Sequence, residues 1–86
     1  MREILMRLVL NSIIFLELSS DDVVDLRSAV KMMDYTAYEL RKLSPEDRAT
    51  FLAYARQMAA REHDSRVRDL LLSLDRTMLP NEEDEA

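Results

Sequence analysis

The 86-residue chain contains no glycine and no cysteine, and only one histidine. Without glycine, a loop that lays backbone amides against a phosphate lacks its usual parts. Without cysteine there is no disulfide framework, no thiolate and no cysteine-based zinc site. Aromatic residues number five, so a core has to be built from Leu, Ile, Val, Met and Ala. No stretch joins an apolar run to a cleavage site as a secretory leader does, and a cytoplasmic location is the expectation.

What the chain does have is hydrophobic residues at helical spacing. They make up 48% of it, enough for one small domain, which at this size buries only roughly 60% of its unfolded surface. Val23, Leu26, Val30, Met33, Ala37 and Leu40 recur at alternating steps of three and four, the stripe of a helix that packs on another helix. Residues 8–18 read LVLNSIIFLEL with Glu17 as the single charge. That run is about half of the roughly 20 residues that cross a bilayer, and Asn11 and Ser12 interrupt it. It is expected to be the most buried helix of the fold, with no membrane partner. Ile13, Ile14 and Phe15 favour a strand, but no second strand is available to pair with it.

Capping signals divide the rest. Ser19, Ser20, Asp21 and Asp22 mark the first boundary, Ser19 with Asp22 fitting a capping box, so a second helix is expected to begin there and run to Leu43. Ser44, Pro45, Glu46 and Asp47 supply a hydroxyl cap, a proline for the first helical position and acids behind it, which predicts a third helix from Pro45. Phe51, Leu52, Ala55, Met58 and Ala59 form its apolar side. Asp64 or Ser65 is placed to cap a fourth helix with the stripe Val67, Leu70, Leu71, Leu74 and Met78. Residues 52–74 also keep one helical phase, so a single long helix stays open. The fold class is all-α: a small antiparallel bundle of three or four helices over residues 1–79, with a disordered acidic tail over 80–86.

That tail localises the charge. Of the formal −5, four charges are Glu82, Glu83, Asp84 and Glu85, leaving thirteen acids and twelve bases in the body. Arg41, Lys42, Arg48, Arg56, Arg61, Arg66 and Arg68 are interleaved with Glu46, Asp47, Glu62, Asp64 and Asp69, so the basic footprint of nucleic-acid binding is absent and no nucleic-acid partner is expected.

Chemistry is equally sparse. Glu62, His63 and Asp64 are the residue types of acid–base catalysis, but consecutive helical side chains diverge by about 100°, and the three fail as a triad. His63 would respond to pH only if packed under the third helix. Glu17, Asp21, Asp22 and Asp25 crowd one turn without the spaced ligands and glycine of a calcium loop, and capping explains them. No catalytic residue, metal or cofactor is expected.

The runs FLELSSDDVVDLRSAV and AYELRKLSPEDRATFL resemble a pattern in short uncharacterised bacterial helical proteins, where a hydrophobic first helix precedes an acidic turn and a later Leu-Ser-Pro-Glu cap. The resemblance implies a bacterial origin and carries no activity.

Protein binding remains. Met32, Tyr35 and Tyr38 fall off the heptad seam at positions that are normally charged, and methionine and tyrosine suit an interface. If helix 2 lies between two helices of its own bundle, they are core instead. The expected role is a non-enzymatic immunity protein or antitoxin that occludes a toxin, with Met32, Tyr35, Tyr38, Asp21, Asp22 and Asp25 as contacts. The alternative is a homodimeric structural or adaptor protein.

Overall fold

The computed structural model describes residues 1–20 and 22–78; the acidic tail and Asp21 lie outside them. Four helices are present: α1 (Arg2–Leu18), α2 (Leu26–Leu40), α3 (Pro45–Arg61) and α4 (Ser65–Thr77). Local chemistry accounts for most of their ends. Ser44 accepts a hydrogen bond from the Asp47 amide at 3.1 Å, with Pro45 in the first turn, as its sequence predicts. Asp64 accepts from the Arg66 amide at 2.9 Å and caps α4. Between them Glu62 and Asp64 take extended backbone angles, so residues 45–77 form two helices and the single long helix is ruled out.

The first boundary differs from expectation. Ser19 ends α1 instead of opening α2: its backbone is extended and its amide donates to the Phe15 carbonyl at 3.1 Å. The amides of Val23 and Val24 both donate to the Ser20 carbonyl at 3.0 Å, a turn that delays the next helix. Asp25 is the cap, accepting from the Ser28 amide at 3.1 Å and its hydroxyl at 3.2 Å. At its other end α2 stops at Leu40, short of Leu43. There the amides of Lys42 and Leu43 bond to carbonyls three residues back, and the Arg48 guanidinium reaches back from α3 to the carbonyls of Arg41 (2.6 Å) and Leu43 (3.2 Å). These contacts satisfy orphan acceptors of the helix end and tie α2 to α3.

Leu10, Ile13, Phe51, Ala55, Ala59, Leu71, Leu74 and Met78 form the buried core, drawn from α1, α3 and the end of α4. Ala55 and Ala59 let α3 lie close to its neighbours, and α3 packs most extensively on α4. No polar or charged side chain is buried among the described residues. α1 packs against each of the other three helices, whereas α2 packs substantially on α1 alone.

Two expectations about burial therefore fail. The heptad of α2 is only half used: Met33, Ala37 and Leu40 rest against the core, while Val23, Leu26 and Val30 are more than half exposed. Val23 lies in the turn before α2, and no helix among the described residues reaches across the first turns of α2 to cover Leu26 and Val30. α1 is not the most buried helix either: it buries Leu10 and Ile13 where α3 buries Phe51, Ala55 and Ala59, because its neighbours occupy one side. Leu10 and Ile13 are buried, and the opposite side is open.

Candidate protein interface

α1 is apolar on both sides, and this defines the site. Ile4, Leu8, Asn11 and Phe15 lie about 160° around the helix from Leu10 and Ile13. Ile4, Leu5, Leu8 and Phe15 keep 59%, 53%, 61% and 52% of their surface exposed. An apolar face of that kind normally belongs to a helix enclosed by its surroundings. Met32 of α2, 48% exposed, extends it. Leu8, Asn11, Ser12, Phe15, Leu16 and Met32 together line an open depression of about 400 Å³. The Ser12 hydroxyl donates to the Leu8 carbonyl at 2.9 Å, so its hydrogen stays on its own helix.

The residues singled out from the sequence are dispersed. Met32 joins the α1 face. Tyr38 lies on the other flank of α2, lining an α2–α4 groove of about 530 Å³ with Met33, Ala37, Arg41, Leu70 and Met78. Lys42 sits 4.6 Å above the Tyr38 ring and 3.2 Å from Glu39. Tyr35 is exposed between these two surfaces. α2 does not lie between two helices of the bundle, so neither tyrosine enters the core. Asp25 is engaged as a helix cap and Asp22 is exposed in the turn before it. Asp21 falls outside the described residues.

The groove beside Tyr38 holds the hydroxyls of Ser73 and Thr77, and both are turned onto their own helix. Ser73 donates to the Leu70 carbonyl at 2.9 Å and Thr77 to the Ser73 carbonyl at 3.1 Å. His63 is exposed in the α3–α4 link, not packed under α3. Among the described residues, no group of three or more histidine, aspartate or glutamate side chains is placed to hold a metal ion, and no helix is long and apolar enough to cross a membrane.

Leu8 and Phe15 belong to the run 8–18 that the sequence assigns to the most buried helix, and Ile4 and Leu5 precede it. The signal was present in the spacing: Ile4, Leu8, Asn11 and Phe15 form a second stripe on a helix whose first stripe, Leu10 and Ile13, already supplies the core. Compared with protein-family models, curated proteins and solved structures, the chain matches none of them.

Proposed function

We infer that this chain is a protein-binding module that acts by covering a partner with a helical face and carries out no chemistry of its own. One observation carries this reading: the outward side of α1 leaves Ile4, Leu8 and Phe15 each more than half exposed while Leu10 and Ile13 on its inward side are buried. Contiguous exposed apolar surface of several hundred Å² on a soluble domain marks an interaction site. With Met32, the face pairs flat aliphatic area with an adaptable side chain, the composition of an interface centre.

Both roles drawn from the sequence use such a face. An immunity protein or antitoxin would lay it over a toxin, with Tyr35 at the rim; an adaptor would lay it against another subunit. The test compares the tagged chain with its Leu8→Glu and Phe15→Glu variants in affinity purification. A stoichiometric polypeptide, foreign or self, should be retained by the parent and lost from both variants while the helical circular dichroism is unchanged. Equal retention by all three would reject the α1 face as the binding surface.

A further inference from the structure

We propose that the outer face of α1 is closed by a second copy of this chain, α1 against α1 in antiparallel order across a two-fold axis. The inference rests on reading that face as an interface and names its occupant. Ile4, Leu8, Asn11 and Phe15 are spaced by four, three and four residues, the rhythm of a coiled-coil seam. That spacing is the same in both directions. Turned end for end about a point midway between Leu8 and Asn11, the seam sets Ile4 of one copy against Phe15 of the other, and Leu8 against Asn11. A two-fold interface requires this kind of self-complementary patch.

Side-chain size selects the reversed order. In a parallel pair Phe15 would meet Phe15 at the same level of the seam. In the antiparallel pair the bulky Phe15 meets the smaller Ile4. The two Asn11 amides come to about 4.5 Å of each other along the axis, from the 1.5 Å rise per residue, placing the polar groups of the seam together at its middle. The Ser12 hydroxyl is already bonded to Leu8, so covering it strands no donor.

The area is sufficient. Ile4, Leu5, Leu8, Phe15 and Met32 are each about half exposed, and side chains of roughly 200 Å² therefore offer about 500 Å² per copy. Full coverage of these residues in two copies would bury about 1,000 Å², the lower bound of a specific interface before the rim is added. No acid lies on the face, and its one flanking base, Arg7, gives a polyanionic partner little to hold.

Light scattering on the purified full chain, over a series reaching roughly 100 μM, should give twice the chain mass. Leu8→Glu and Phe15→Glu should return it to the single-chain mass with the helical spectrum intact, since both side chains are exposed in the single chain. Tyr35→Ala should leave the dimer in place. Because the chain has no cysteine, orientation is readable: an Ile4→Cys copy should cross-link to a Phe15→Cys copy in preference to itself. A single-chain mass throughout, a dimer indifferent to Leu8→Glu, or cross-linking of each variant mainly to itself would overturn the proposal. So would a monomer that binds phosphatidylcholine vesicles through the same residues. If the purified chain is monomeric and a foreign protein is lost on Leu8→Glu, the second copy is rejected while the protein-binding reading stands. If no partner of either kind depends on Leu8, both are rejected.

Discussion

At Asp64 one carboxylate accepts two hydrogen bonds from Arg66, from the amide at 2.9 Å and from the guanidinium at 3.4 Å. The amide bond, with the guanidinium behind it, holds the carboxyl below its ordinary value near 3.8. A group whose acidity is raised by folding stabilises the fold above its unfolded pKa, and the contribution is lost as pH falls through the folded one. The cap on α4 should therefore hold at neutral pH and weaken below about pH 4. A carboxyl NMR titration should place the Asp64 midpoint below that of an aspartate in an unfolded peptide; a midpoint at or above the peptide value would contradict the capping geometry. The serines offer a second residue-scale contrast. Ser44→Ala removes the acceptor for the Asp47 amide and should cost about 1 kcal/mol, a fall of roughly 4–8 °C in melting temperature for a domain this small. Ser19→Ala should stay within about 0.5 kcal/mol, because it is the backbone of Ser19, not its hydroxyl, that ends α1. Equal losses in thermal melts would restore Ser19 as a cap.

Among the elements, α2 stands apart: it packs substantially on α1 alone and buries only Ala29. Helices with few buried contacts open locally at less cost than the global unfolding free energy. Backbone amides of α2 should exchange with deuterium faster than those in the middle of α3 and α4, which share the core. Slower or equal exchange would mean that α2 is held by something beyond α1 and the Arg48 bridge. The same asymmetry explains which helices were legible in the sequence. Ser44-Pro45 and Asp64 act through amides two or three residues away, so local pattern sufficed for α3 and α4. At the start of α2, Ser19, Ser20, Asp22 and Asp25 all have capping side chains, and what selects Asp25 is the turn through Ser20 that sets α2 against α1. Which part of the α2 stripe becomes core is likewise decided by how far the other helices reach.

For the molecule as a whole, the four-helix architecture follows from apolar periodicity, but the candidate interface does not. Hydrophobicity in residues 8–18 states that Leu8 and Phe15 need covering; it does not state whether the cover is intramolecular. In a small domain the interior is limited, and Leu10 and Ile13 fill α1's share of it. Met32 and Tyr38 were separable from the heptad by position, yet their placement on two different flanks depends on where α1 and α4 lie, which spacing along α2 alone does not encode.

That α1 touches every other helix also orders the events of synthesis. Its inward side chains meet their partners only when α3 and α4 have been made, and from Ile13 to Leu74 is roughly sixty residues, or about 3 to 12 seconds of translation at ordinary rates. For that interval the nascent chain displays a helix with two apolar sides and only α2 to shelter part of it. The finished fold encloses one of them. The segment that organises the structure is thus the segment most in need of a chaperone while the ribosome is still at work.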